Sequence, residues 1–446
     1  MMQGIKVGVI SLGCSKNRVD TELMLGQLKD AGCEFTPLPE EADVILINTC
    51  GFIESAKEES INTILEMAQY KETGCLKALI VSGCLSGRYR EELAAELPEV
   101  DAFLGVTAQG EIVEAVRQAL QGAQTQNYHE AVIEGDYQNR LLTTPGYYAY
   151  VKIAEGCNNR CSYCAIPYIR GNLKSRSMED VVAEVQTLAA RGVKEIILVA
   201  QDTSKYGLDL YKKSMIAPLL DALAVIEGIR CIRLLYCYPD GITEELLDAM
   251  CRHENVAKYI DMPIQHIDDT VLKRMHRRDS KASIYDVVER IRKRSEDFIL
   301  RTTVIAGFPG ETEEQFETLK QGLRDLKFDR LGAFAYSQEE GTPASKMPDQ
   351  LPEEVKEDRE QQIMFLQQPI AAEMGKRRVG KCYDVLIEDY LEEEGLYFGR
   401  SYGETPGVDG LIAVESEEPL KIGEYCKVRI MRADDYELLG RAIQDE

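Results

Sequence analysis

A chain of 446 residues exceeds one ordinary domain, so two to four are expected. With 44% hydrophobic and 29% charged residues it reads as globular with ample apolar material for cores, and no run of about 18 apolar residues marks a membrane span. A net charge of −24 speaks against a nucleic-acid backbone as main partner, which needs a basic face, and leaves a basic protein or a small substrate as the better match; acidity that serves only solubility is the plainer alternative.

The opening residues run straight into a strand and lack the apolar stretch and cleavage site of a signal peptide, so a cytoplasmic setting is expected. The first 140 or so residues alternate strand and helix. KVGVISLG, DVILINTC and KALIVSGC read as buried strands. The segments 20–32 and 54–74 and the REELAAELPEV stretch read as helices between and after them. This predicts an open parallel α/β domain over residues 1–142. Residues 120–145 are polar and read as a linker or an edge hairpin. A second α/β unit spans 143–375. Its six candidate strands, from YYAYVKIAEG to RLGAFAYS, alternate with helical segments such as MEDVVAEVQTLAARG, which predicts a partial (βα)6 barrel. The charged segment starting at LPEEVKEDRE reads as a helix leading out of that barrel. Residues 376–446 change to short strands separated by turns, expected to form a small OB-like β-barrel. The first of these regions carries a net charge of −11 and the last −7, so no region is basic.

The chain holds 13 cysteines. In a cytoplasmic protein they point to metal or redox chemistry rather than disulfides. Cys157, Cys161 and Cys164 form a C-x3-C-x2-C loop that follows the first barrel strand. Three such thiolates can hold three irons of a [4Fe–4S] cube and leave the fourth open. The spacing alone also fits a structural zinc site with a distant fourth ligand, or a redox-active thiol pair. Cys14, Cys50 and Cys84 each stand at the predicted carboxyl end of a strand, where ligands bind in open parallel sheets. They either converge on one point or are three structural cysteines. Cys33, Cys75, Cys231, Cys237, Cys251, Cys382 and Cys426 sit in no ligand pattern and read as packing thiols.

The cysteine loop, with Tyr163 before its last cysteine, resembles that of the radical S-adenosylmethionine superfamily. Together with the N-terminal trio it resembles the methylthiotransferase family over essentially the whole chain. That resemblance implies an N-terminal methylthiotransferase domain, a radical domain and a C-terminal TRAM domain. It implies two [4Fe–4S] clusters, one on each trio of cysteines, and S-adenosylmethionine as cofactor. Tyr163 is expected near the adenine, and Gln201 and Gln265, at the ends of LVAQD and IDMPIQH, are placed to bond cofactor or substrate. VIAGFPGE offers a further strand end for an adenine; His266 and His276 read as loop histidines without a chemical role.

The segment SLGCSKNRVDTE resembles the RimO-type branch of the family, on Lys16, Asn17, Val19, Asp20 and Glu22. That branch modifies the β-carbon of an aspartate in ribosomal protein S twelve, which implies this basic protein as partner, free or in the small ribosomal subunit, along with an electron donor. An acidic TRAM domain suits a basic protein better than RNA. The alternatives are a tRNA adenosine methylthiotransferase, a radical enzyme of another class with a structural N-terminal trio, and a non-enzymatic zinc or RNA-binding module.

Overall fold

The computed structural model describes residues 2–128 and 135–443. Strands β1 (Lys6–Ser11), β2 (Glu34–Phe35), β3 (Val44–Thr49), β4 (Ala78–Gly83), β5 (Ala102–Leu104) and β6 (Thr125–Asn127) form one all-parallel sheet in the order β2-β1-β3-β4-β5-β6. Every residue of β3 and β4 is buried because helices cover both faces. Strand alternation splits the apolar side chains between two cores. Val44, Leu46, Ala78 and Ile80 join one, and Ile45, Ile47, Leu79 and Val81 join the other.

Helix α1 runs from Ser15 to Asp30, starting earlier than the predicted Asp20. Its first turns carry no apolar stripe because they face a second buried polar surface instead of a hydrophobic core. Likewise a helix begins at Cys84 directly after β4. Among the described residues of 120–145 no hairpin forms. β6 adds a parallel edge strand, residues 129–134 lie outside the described residues, and the rest is pinned down. Arg140 there is fully buried and pairs with Glu22 of α1 and with Glu184 at 2.8 Å, while Thr143 donates to Glu22 through its backbone N–H at 2.8 Å and its hydroxyl at 2.9 Å.

All six expected barrel strands form. β7 (Tyr148–Lys152) is followed by a short antiparallel pair, β8 (Ala154–Glu155) and β9 (Lys174–Ser175). Then come β10 (Glu195–Val199), β11 (Cys231–Leu234), β12 (Tyr259–Asp261), β13 (Ile299–Ala306) and β14 (Arg330–Ala335). They pair in parallel as β7-β10-β11 and β12-β13-β14, and a bridge from Ile232 to Val256 links the halves into a partial barrel. The helix Glu353–Lys376 does not simply lead away: Ile363, Gln367, Ile370 and Met374 are buried, and Gln367 donates to Phe328 O at 2.9 Å.

The C-terminal strands β15 (Cys382–Leu391), β16 (Leu396–Arg400), β17 (Ile412–Glu415), β18 (Tyr425–Asp434) and β19 (Glu437–Ala442) close a barrel in the order β15-β16-β17-β19-β18. It docks on the amino ends of the central strands. Arg400 pairs with Glu195, the first residue of β10, at 2.8 Å, and the Tyr259 hydroxyl, at the start of β12, donates to Asp409 at 2.7 Å. Glu404 joins the contact, held by Arg378 and, at 3.4 Å, by Arg330 at the start of β14. Burial alone would push the Glu404 carboxyl up, but Arg378 and Arg330 outweigh it and hold it at about 2. A depressed carboxyl contributes stability that is complete above its ordinary value and lost as pH falls toward the folded value. The stability advantage of wild type over Glu404→Gln is therefore expected to be full near neutrality and to shrink between pH 4.5 and about 2 in thermal unfolding. An advantage independent of pH across that range would contradict this assignment.

Of the seven cysteines expected as packing thiols, Cys33, Cys231 and Cys237 are buried and Cys426 is half-buried. Cys75, Cys251 and Cys382 are exposed and do not pack, a correction that spacing without strand direction could not have supplied.

Candidate functional site

The strands β1, β3 and β4 are neighbours, and each ends in one cysteine. Cys14 caps α1, Cys50 follows β3, and Cys84 opens the helix after β4. Parallel pairing puts the three carboxyl ends side by side. The approach is close enough to require glycine: a Cβ on Gly13, which has φ +85°, would lie 2.9 Å from Cys50 Cβ, and one on Gly83, at φ +102°, would lie 2.4 Å from Thr49 O. The second trio stands on the loop between β8 and β9, whose pairing clamps its base.

Both trios face one cavity of about 350 Å³, and Tyr163, Gln201 and Gln265 line it too. The Gln201 amide donates to Glu155 at 2.7 Å, while its buried oxygen has no hydrogen-bond partner among the described residues. Gln265 is held at φ +66° by pairing with Thr303 and Ile305 on β13. Tyr163 packs on the apolar cluster of Val271, Phe308 and Tyr336. The VIAGFPGE strand end does not line the cavity: a Cβ on Gly307 would lie 2.6 Å from the Lys356 side chain covering it. His266 is buried between Glu311, at 3.2 Å, and the Asp268 N–H, and His276 is exposed.

A polar layer that no sequence motif announces joins the two trios. Arg170, six residues past Cys164 and essentially inaccessible, donates through Nη1 to Glu155 at 2.8 Å and through Nη2 to Asn17 at 2.5 Å, Asp20 at 3.2 Å and Cys84 Sγ at 3.5 Å. Lys152 at the end of β7 pairs with Asp20 and, at 2.9 Å, with Glu155. Burial alone would push the Glu155 carboxyl up, but Arg170 and Lys152 pull it well below the ordinary range. Asn17 also donates to Leu12 O and Thr49 O, tying α1 to the ends of β1 and β3. The residues Asn17, Asp20 and Glu22 of the N-terminal motif are thus the docking face of the first domain on the second. At the rim Arg88 repeats the device, donating to Gly51 O at 2.8 Å and Glu339 at 2.9 Å.

These thiols fit a metal cluster by their chemistry. Burial pushes Cys84 up to about 12 and Cys157 up to about 11, and raises Cys50 and Cys164 as well. Cys14 is exposed, and Lys16, Arg170 and nearby backbone N–H groups lower that thiol. Thiols that resist ionisation in place are stabilised as thiolates by a bound metal centre. Among the described residues no three such side chains converge tightly enough to chelate a single ion. A [4Fe–4S] cube asks for something else, three thiolates spread over three irons.

Three family models match the chain: uncharacterized protein family UPF0004 over residues 6–105, the radical SAM superfamily over 151–321 and the TRAM domain over 379–443. A protein named ribosomal protein uS12 methylthiotransferase RimO from Clostridium botulinum (strain Langeland) is 49% identical over 443 residues, 98% of each chain. One of the same name from Acetivibrio thermocellus is 49% identical over 448 residues, 99% of each. Among solved structures, the radical S-adenosylmethionine methyltransferase TsrM from Kitasatospora setae, with cobalamin and a [4Fe-4S] cluster bound, has a TM-score of 0.55 at 14% identity, over 77% of this chain and 74% of its own. That likeness is one of fold.

Proposed function

This chain belongs to the RimO family of radical S-adenosylmethionine methylthiotransferases, and from that membership we propose that it inserts a methylthio group at the β-carbon of an aspartate in ribosomal protein uS12. The observation that carries the proposal is the meeting of two cysteine trios, from separate domains, on one cavity. Cys157, Cys161 and Cys164 hold one [4Fe–4S] cluster, and Cys14, Cys50 and Cys84 hold a second. When bound, the clusters and S-adenosylmethionine would supply the electron, the radical chemistry and the sulfur for the transfer; a radical is needed because an aliphatic C–H is too weak an acid for an ordinary general base.

The chain's own residues bind and orient. Arg170, Lys152, Asp20 and Glu155 fix the two cysteine-bearing loops relative to each other across the domain contact. The free Gln201 oxygen, Gln265 and Tyr163 offer an acceptor, a polar amide and a ring face for S-adenosylmethionine. The domain division proposed is 1–142, 143–375 and 376–446, supported by the three separate strand systems. Among the described residues the C-terminal barrel contributes none to the cavity, and its acidity suits holding a basic ribosomal protein from a distance.

The test is mass spectrometry of uS12 and of bulk tRNA after incubation with anaerobically reconstituted enzyme, sulfide, a reductant and S-adenosylmethionine. A methylthio gain on an aspartate of uS12 with tRNA unmodified is expected. A gain on tRNA alone would overturn the substrate.

A further inference from the structure

Four cations line the cavity that carries the six cysteines: Lys16, Arg160, Arg170 and Arg277. Arg170 is countered by Asp20 and Glu155, and Arg277 by Asp279 at 2.8 Å. Arg160 is exposed and donates to Asn172 at 2.6 Å. Lys16 differs from all three. It is 8% exposed, and among the described residues its ammonium makes no hydrogen bond or ion pair; it lies over the Tyr236 ring, 3.6 Å from the centroid.

A lysine ammonium is a compact, strongly hydrated charge with three donors, so burying it against one ring face leaves most of its hydration unreplaced. The ring itself is held there under strain. Tyr236 adopts φ +61°, which a bulky residue rarely does, and is fixed by its N–H to Asp261 at 3.1 Å and by its carbonyl, which accepts from Thr203 at 3.0 Å. Lys16 stands beside the Cys14 thiol but has no carboxylate partner among the described residues, and the carboxylate that lines the cavity, Asp202, is taken up by Asn159 at 2.8 Å and Ser204 at 2.5 Å, so the ammonium over the strained ring is open to an anionic group brought in from outside.

We propose that Lys16 and Tyr236 form the subsite for the side-chain carboxylate of the aspartate that is modified, which makes Lys16 a specificity-determining residue. This rests on the substrate class proposed above. The β-carbon of an aspartate is bonded directly to its carboxylate, so anchoring the carboxylate at Lys16 holds the β C–H within the cavity between the trios. A neutral asparagine lacks the charge and leaves the ammonium unpaired, which is the basis for rejecting it.

The test measures affinity for uS12 and for uS12 with the target aspartate replaced by asparagine, using reconstituted wild type, Lys16→Met and Lys16→Arg. Wild type is expected to favour the aspartate form by about 30-fold, the order seen when one partner of a buried charge pair is removed. Lys16→Met abolishes that ratio while keeping the wild-type iron content, and Lys16→Arg restores part of it. An unchanged ratio in Lys16→Met overturns the subsite, and so does iron loss in both lysine variants, which would place Lys16 in support of Cys14. Saturation-transfer NMR with acetyl-aspartate amide separates the two readings. Lys16-dependent binding of this probe by an enzyme that leaves uS12 unmodified keeps the subsite and rejects the substrate. Probe binding that Lys16→Met does not weaken rejects the subsite.

Discussion

Replacing Cys161 by alanine abolishes both S-adenosylmethionine cleavage and methylthio transfer, whereas replacing Cys50 by alanine abolishes transfer and leaves cleavage in place. The expectation follows from the two trios' separate supports. Cys161 stands on the loop clamped by β8 and β9 in the central barrel, and Cys50 on the carboxyl end of β3 in the N-terminal sheet. Losing one ligand from three leaves that cluster underligated without touching the backbone that carries the other. Each cube holds four irons, so iron is expected to fall from about eight per chain to about four in either variant. Anaerobic iron analysis, chromatography of 5′-deoxyadenosine and mass spectrometry of uS12 measure the three quantities. Wild-type iron and transfer in Cys50→Ala would show that the N-terminal trio is structural.

The largest expected loss of stability is at Arg170. Its guanidinium is buried against Glu155 and Asp20, bonds Asn17 and touches Cys84, so one side chain joins the cysteine loop's own domain to α1 of the other. Removing one partner of a buried ion pair costs roughly 3–5 kcal/mol, chiefly because the remaining charges are left without compensation. Here Lys152 still faces both carboxylates, which places Arg170→Met toward the lower end, about 3 kcal/mol. Arg170→Lys keeps the charge but not the planar fork that reaches Glu155 on one side and Asn17 and Asp20 on the other, and is expected to recover only part. Denaturant unfolding of the apoprotein measures the loss, and limited proteolysis between residues 135 and 145, where Arg140 and Thr143 are pinned, reports loosening of the domain contact. Wild-type stability in Arg170→Met would mean that Lys152 alone satisfies both carboxylates.

The barrel strands were legible because each is an apolar run bounded by a turn, and parallel burial on both faces leaves few polar interruptions. The convergence of Cys14, Cys50 and Cys84 was legible for the same reason: three strand ends in a parallel sheet share one edge. What stayed hidden was the polar contact between domains. Asp20 and Glu22 stand in the sequence only as residues of a family motif, Lys152, Glu155 and Arg170 carry no signal there, and only the docking of α1 on β7 and its following loop buries them together. The same burial explains why α1 begins before its apolar stripe. Tyr236 gave no signal either, since its φ +61° is set by hydrogen bonds to Asp261 and Thr203, residues distant in sequence. The N-terminal motif read as a family signature acquires a physical division of labour: Asn17 and Asp20 accept from Arg170 and Glu22 accepts from Thr143 across the domain contact, and Lys16 is left facing the cavity.

The most direct measurement uses uS12 carrying aspartate deuterated at the β-carbon, incubated with reconstituted enzyme and unlabelled S-adenosylmethionine. A 5′-deoxyadenosyl radical that takes its hydrogen from that carbon must carry the label away. Deuterium in 5′-deoxyadenosine, rising in step with the methylthio gain on uS12, is the predicted result. Methylthiolated uS12 accompanied by unlabelled 5′-deoxyadenosine would contradict it.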